Sequence, residues 1–382
     1  MEMINSKINY DNENLNKYLN DLSIVGSLSG LFGDDEVPNL YYRVPENLYC
    51  ASFGAQNLSR ADIAVDAKLG SYGIGIKTFK EENSKTFQKI AEFDKEKALY
   101  EKLTPEDKVR KIAELRNERL YFAKNTYNID KMIYHCVVRN KKGFYLFEED
   151  MIPIDIKNLI YESKNKGEGV LNFHDQFFEY KFYESKSTLL KRFITKDYFA
   201  NVDAQILENP INLLSQIKIF GEPHKAKEEL VLPLYSTKNH GITKFVPVKS
   251  GLNQWNANGR RRDPNEVYIA YPAKFRTKFN SYFPDRNTPF DVHLPNGKII
   301  SMKVCQDDGK ALMSNPNKTL GEWILRDVLK LPEKTIVTYK MLLEIGVDCI
   351  VFEKSQKNYW LSFGKVGRFE EFSEKVFSND EL

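Results

Sequence analysis

Two short apolar runs, Ala61-Asp-Ile-Ala-Val-Asp66 and Ile74-Gly-Ile-Lys-Thr-Phe79, each carry a group that phosphodiester hydrolysis needs. Asp62 is a carboxylate able to hold a metal ion, and Lys77 is a cation able to face the attacked phosphate or orient water. Strand alternation turns Asp62, Ala64 and Asp66 to one face of the first run, and Gly75 and Lys77 to one face of the second. A turn through Gly70 to Gly73 would join them as a hairpin, with register deciding whether the two groups meet. Two other carboxylate–lysine spacings compete. Asp66-Ala-Lys68 confines its pair to a single strand, and Glu179-Tyr-Lys181 has only Asp175 close upstream, a tight separation for strand, turn and strand.

A second chemistry is written between Phe245 and Trp323. Gly251-Leu-Asn-Gln-Trp-Asn-Ala-Asn-Gly-Arg-Arg-Arg-Asp263 and Gln306-Asp-Asp-Gly-Lys310 through Asn317 lie beside strand-like apolar runs, and are dense in Asn, Gln, Arg, Asp and Lys. Those side chains match the donors and acceptors of base edges and phosphates. The same composition also suits a solvated loop, and Asp307-Asp308-Gly309 suits a tight turn. Ser185-Lys-Ser-Thr188 is read either as a phosphate contact through Ser185 and Lys186 or as the cap of a basic helix.

The elements that must position these groups follow from periodicity. Leu15, Tyr18, Leu19, Leu22 and Val25 predict a helix over 14–29, and Thr104-Pro-Glu-Asp107 caps another through Phe122. A helix is also expected over 84–101, from Phe87, Ile90, Ala91 and Phe93. Residues 132–138 and 143–147 read as a hairpin, two aromatic strands fall between 169 and 183, and a helix covers 338–345. The expected division is a first domain at 1–222, a linker region at 223–244 and a second domain at 245–382.

Composition narrows the partners. At 382 residues with 42% hydrophobic residues the chain can build two cores. A net charge of +3 means that any polyanion surface must come from segregated charge rather than excess. Cys50, Cys136, Cys305 and Cys349 are spaced like reduced thiols, and there is neither an apolar leader nor a run long enough to span a membrane. A cytoplasmic protein acting on DNA, with no membrane partner, is expected.

The first half resembles the PD-(D/E)xK nuclease superfamily through Asp62 and the Gly-Ile-Lys-Thr-Phe strand. The resemblance implies an α/β (α+β) nuclease domain, a mixed sheet flanked by helices. It also implies Mg2+ held by Asp62 and a second carboxylate, with Lys77 as the motif lysine. Gly75 stands where the family carries Glu or Asp, so Asp66, Glu46 or Glu92 must supply the missing carboxylate.

The second half resembles the C-terminal B3-like DNA-binding domain of certain bacterial type II restriction endonucleases. The resemblance rests on Gly251-Leu-Asn-x-Trp-Asn-Ala, Asn265-Glu-Val-Tyr-Ile269, Phe283-Pro284, Lys303-Val-Cys-Gln306, Lys310-Ala-Leu-Met-Ser-Asn-Pro-Asn317 and Leu320-Gly-Glu-Trp-Ile-Leu-Arg326. It implies a mostly β pseudobarrel with two arms that grip duplex DNA. One arm would be Asn253, Gln254, Trp255, Asn256, Asn258, Arg260, Arg261, Arg262 and Asp263. The other would be Gln306, Asp307, Asp308, Lys310, Met313, Ser314, Asn315 and Asn317. Site-specific cleavage of double-stranded DNA is the expected function, by a homodimer on DNA. The alternatives are a catalytically inactive DNA-binding protein and a nuclease subunit served by a separate ATPase partner. Phospholipase-D-like chemistry is disfavoured, since none of the five histidines begins an HxK motif.

Overall fold

The computed structural model describes residues 6–33, 36–59, 63–81, 85–162, 169–195, 197–214, 228–239 and 242–378. The chain divides into two compact units, Met1–Leu120 with Ile129–His224, and Tyr121–Asn128 with Lys225–Leu382.

The first unit opens with α1 (Asn12–Ser27) and α2 (Arg43–Phe53) and continues through β1 (Gln56–Asn57), β2 (Ala67–Leu69), β3 (Tyr72–Lys80) and β4 (Lys85–Glu92). Next come α3 (Pro105–Tyr127), whose last residues group with the second unit, β5 (Lys131–Asn140) and β6 (Gly143–Asp150). The unit closes with β7 (Ile160–Glu162), β8 (Val170–His174), β9 (Glu179–Tyr183), β10 (Thr188–Ile194), β11 (Ala200–Asp203) and α4 (Pro210–Leu214).

One sheet runs β1-β2-β3-β5-β6-β11, mixed because β3 and β5 are parallel while the other pairs are antiparallel. A second, antiparallel sheet runs β4-β10-β9-β8-β7. Ile74, Ile76, Ile133, Val137 and Leu146 share a core with Tyr18 and Leu22 of α1 and Tyr49 of α2. The other sheet's Phe173, Phe182 and Leu189 pack with Val109 and Ile112 of α3.

The Thr104 cap holds: its hydroxyl accepts from the Asp107 amide at 3.3 Å and donates to the Asp107 carboxylate at 2.7 Å. Three expectations need correcting. The hairpin before Lys77 exists, but its first strand is Ala67–Leu69, closed by a two-residue turn at which Gly70 takes a left-handed φ of 56°; of the expected 61–66, residues 63–66 are not strand and 61–62 lie outside the described residues. The stretch 84–101 is not a long helix. Residues 85–92 form β4, because pairing with β10 overrides an apolar spacing that fits both periods. For the same reason 188–194 is strand, and Ser185 and Lys186 lie exposed in the turn before it.

The second unit is mostly β: β12 (Glu228–Pro233), the hairpin β13 (Ser236–Lys238) and β14 (Thr243–Phe245), β15 (Ile269–Ala270), α5 (Ala273–Lys278), β16 (Phe290–His293), β17 (Ile299–Cys305) and β18 (Ala311–Ser314). After these come α6 (Thr319–Gly321), which runs into a π-helical turn at Glu322–Val328, α7 (Tyr339–Ile345), β19 (Val347–Ser355), β20 (Asn358–Lys365) and α8 (Arg368–Phe377). Much of the stretch expected as linker is therefore strand.

The sheet order β12-β19-β20-β16-β17-β18-β15 brings the two edge strands back into contact, a nearly closed barrel. Tyr282, Phe283, Phe290, Phe352 and Tyr359 stack in its interior. Gly321 is required by packing, since a Cβ there would stand 1.8 Å from the Asn265 carbonyl oxygen.

Candidate functional site: a carboxylate–lysine site and a polar arm surface

Asp62 lies outside the described residues. The carboxylate found beside the Lys77 strand is Asp66. Its amide donates to the Ile74 carbonyl at 2.8 Å and its Oδ2 accepts from the Ile76 amide at 2.7 Å, so it extends the β2–β3 ladder to the edge of the lysine's own strand. Lys77 is half-buried and paired in register with Cys136 of β5, and alternation along β3 turns it to the face opposite Ile74 and Ile76, which pack with Tyr49 of α2.

Glu46 arrives from α2, whose inner face buries Pro45, Glu46, Tyr49 and Ser52. Only 4% of Glu46 is exposed. Burial pushes its carboxyl above the usual range and the negative charge of Asp66 pushes the same way, while Arg43 pulls it back. Arg43 Nη1 donates to Glu46 Oε2 at 3.0 Å and to the Ser59 carbonyl at 2.7 Å. Sequence reasoning missed Arg43, although its place three residues before Glu46 on a helix was the available signal.

The structure also explains Gly75. A Cβ there would stand 2.4 Å from Met151 Cε and 3.2 Å from Tyr134 Cδ1, so packed side chains fill the space the family's second acid would need. Glu92 is not a substitute, because it sits in the other sheet, half exposed, paired with Lys89. Two carboxylates that repel each other fit a magnesium-like ion, which takes one or two protein carboxylates and completes its shell with water and phosphate. Among the described residues no group of three or more His, Cys, Asp or Glu comes together.

The competing motif is structural. Asp175 Oδ1 accepts from the Phe177 and Phe178 amides and Oδ2 from the Asp155 amide, while Glu179 pairs with Arg192 and Lys181 lies over the Phe87 ring.

In the second unit the expected arm residues fall into two groups. Asn253 is fully buried, its Nδ2 donating to the Pro247 and Val337 carbonyls and its Oδ1 accepting from the Val337 amide. Ser314 is buried too and accepts from the Leu320 amide. Asn256 donates to the Val248 carbonyl, Asp263 accepts from the Asn265 amide, and Trp255 is half-buried. Asn253 and Ser314 shape the arm from inside, whereas Asp263 is exposed with one carboxylate oxygen engaged and the Trp255 indole N–H is buried without a partner among the described residues.

Arg260 and Arg262 converge on the buried Glu266 carboxylate, with Nη2 of Arg260 at 2.7 and 2.9 Å and Nη1 of Arg262 at 2.5 Å. Arg261 between them is exposed, with no side-chain partner among the described residues. Gln254 is half-buried and Asn315 exposed, Asn317 half-buried, Lys310 exposed.

The pairing of β15 with β18, Ile269 opposite Leu312 and Ala270 opposite Ala311, separates the arms. Residues up to Tyr268 run beside those after Met313, whereas Gln306–Lys310 run beside Tyr271, whose amide donates to the Lys310 carbonyl at 2.9 Å. The two expected arms thus flank opposite ends of this strand pair, and Asn315 and Asn317 fall at the Arg261 end. At the other end Gln306 has φ 65° and ψ 173°, a region almost reserved for glycine, and Asp308 has φ 56°.

Comparison with known proteins bears on the second unit. No curated protein matches the chain. Residues 225–356 match the family model of the NgoFVII C-terminal B3-like DNA-binding domain, and over that stretch the barrel described above is similar to a B3-like domain.

Proposed function

We propose that this protein is a site-specific endonuclease for double-stranded DNA, of the restriction-enzyme type. The B3-like unit would choose the sequence, and the Glu46–Asp66–Lys77 site would hydrolyse a phosphodiester. The observation that carries the reading is the match of 225–356 to a B3-like DNA-binding domain, in a chain whose other unit brings the Glu46 and Asp66 carboxylates close enough to act on each other.

A magnesium-class cation held by Glu46 and Asp66 would neutralise phosphate charge and acidify the attacking water. Arg43 fixes the Glu46 carboxylate in place and offsets part of the rise that burial imposes on it. The hydrogen bond from the Ile76 amide fixes Asp66 in place. The Lys77 ammonium would stabilise the negative charge that builds on the phosphate oxygens. Cutting both strands calls for two such sites, so a homodimer on DNA belongs to the proposal.

The test is plasmid cleavage with and without Mg2+ by wild type, Glu46→Gln, Asp66→Asn and Lys77→Ala, with duplex binding measured in parallel. Cleavage that needs the metal and is lost in all three variants, with binding kept, supports the assignment. Metal-dependent cleavage retained by all three would overturn it.

A second reading, a DNA-binding protein without catalysis, is favoured by the filled space at Gly75 and by the lack of a third ligand among the described residues. Wild-type binding with no cleavage under any metal would select it. Cleavage only on adding ATP and an ATPase partner would select the subunit alternative.

A further inference from the structure

The β17–β18 hairpin does not stand alone at its end of the barrel. A second exposed loop, 284–289, runs beside it. The Asn287 amide donates to the Val304 carbonyl at 2.8 Å, and Arg286 Nη2 lies 3.8 Å from Asp307 Oδ1.

Both loops are held in conformations that side chains rarely adopt: Asn287 has φ 67°, Gln306 65° and Asp308 56°. Each is closed by a backbone hydrogen bond of its own, and one is also held from outside. The Gly309 amide donates to the Gln306 carbonyl at 3.1 Å, the Thr288 amide to the Asp285 carbonyl at 2.9 Å, and Arg276 Nη1 to the Asp308 carbonyl. Left-handed backbone at three non-glycine residues in adjoining loops is costly and persists only where surrounding contacts enforce it. Here it turns short polar side chains outward.

The charge here is mixed, with the exposed Asp285, Asp307 and Asp308 set among cations. Lys303 and Arg286 both act on the buried Cys305 thiol, so two cations gather at the base of the hairpin, with Lys310 exposed at its end. Arg286 is 52% exposed and its contact with the 89% exposed Asp307 is long and solvated, so the guanidinium is easily released to another acceptor.

We propose that Arg286 and Asn287 form, with Gln306, Asp308 and Lys310, a single base-reading edge for the major groove of duplex DNA. The chemistry is complementary throughout: the planar fork of Arg286 matches guanine O6 and N7, the carboxamides of Asn287 and Gln306 match adenine N6 and N7, and the Asp308 carboxylate can accept from cytosine N4. Lys310 supplies a phosphate or guanine contact. This inference rests on the DNA-binding reading above and adds a loop that the expected arms did not include.

The experiment is selection from a randomised duplex pool in metal-free buffer, using the full chain as wild type, Arg286→Ala and Asn287→Gly. Glycine keeps the left-handed backbone while removing the carboxamide. Expected is a wild-type motif that loses preference at one or two base pairs in each variant and keeps it elsewhere. The affinity for the wild-type motif should fall by about 5- to 150-fold. Thermal melting of each variant near the wild-type temperature confirms that the unit is folded. If both variants return the wild-type motif at wild-type affinity, the inference is overturned while DNA reading stands. A loss in Arg286→Ala that is equal for every sequence would mark phosphate contact and overturn base reading there. A wild-type chain that enriches no sequence would overturn the DNA-binding reading and this inference together.

Discussion

The two units bury polar side chains to different ends: in the second, Asn253 and Ser314 serve the backbone and Glu266 holds the arm arginines, while the first encloses coupled groups. There His135 is fully enclosed, its Nδ1 3.0 Å from Glu148 Oε1, with Tyr10 and Tyr18 hydrogen-bonded to the same pair. Burial pushes the Glu148 carboxyl up, but hydrogen bonds from His135 and Tyr10 outweigh it and hold the group below its ordinary value. Lys191 and Glu149 form a second enclosed pair, where burial lowers the amine and raises the acid. The second unit fills its barrel with aromatic rings and leaves many donors at the barrel's ends, Arg261 and the Gln306–Lys310 turn among them. Low dielectric tunes charge for chemistry, whereas recognition needs groups that water has left available for exchange.

The contrast can be broken most sharply at Lys191. Lys191→Met strands Glu149 and should cost about 3–5 kcal/mol of stability, read as a fall in the urea midpoint; a double variant that also makes Glu149→Leu should recover most of it. Lys77→Ala should cut plasmid cleavage by about 100- to 1000-fold with duplex binding unchanged, placing the residue with catalysis rather than docking. Arg261→Ala should lose about 1–3 kcal/mol of discrimination at one base pair in competition binding. Arg260→Ala, whose guanidinium is already committed to Glu266, should instead show in thermal melting.

Cleavage should also carry a pH signature. Glu46 must be ionised to act and its carboxyl is raised, so activity should fall, as pH drops, at a higher pH than an ordinary carboxylate gives. Arg43→Ala removes the charge that lowers it and should move that acid limb higher still, in rate profiles run side by side. Glu92→Gln, on a half-exposed pair in the other sheet, should change stability by less than about 0.5 kcal/mol and leave cleavage alone.

What could be read from the chain was what local rules decide. Thr104 and Thr338 announce helix starts because a hydroxyl before a helical run has one good use, and both accept from the amide three residues on. The strand at 85–92 was hidden because Phe87, Ile90 and Ala91 fit a helix equally well, and its partner, β10, lies far along the chain. At the candidate site Asp66 and Glu46 were legible as carboxylates in reserve, but Met151 against Gly75 was not, since nothing local ties the two. Asn253 misled for a chemical reason: a carboxamide that matches adenine matches two peptide carbonyls and an amide just as well.

Met151 also limits how this site can drift. A Gly75→Glu side chain would meet the Met151 methyl, the far end of a flexible side chain, and the edge of the Tyr134 ring, so Met151 must swing aside before a carboxylate fits there. A smaller residue at 151 would spare that adjustment. Substitutions at 75 and 151 should therefore be coupled, the pair costing less than the sum of its parts.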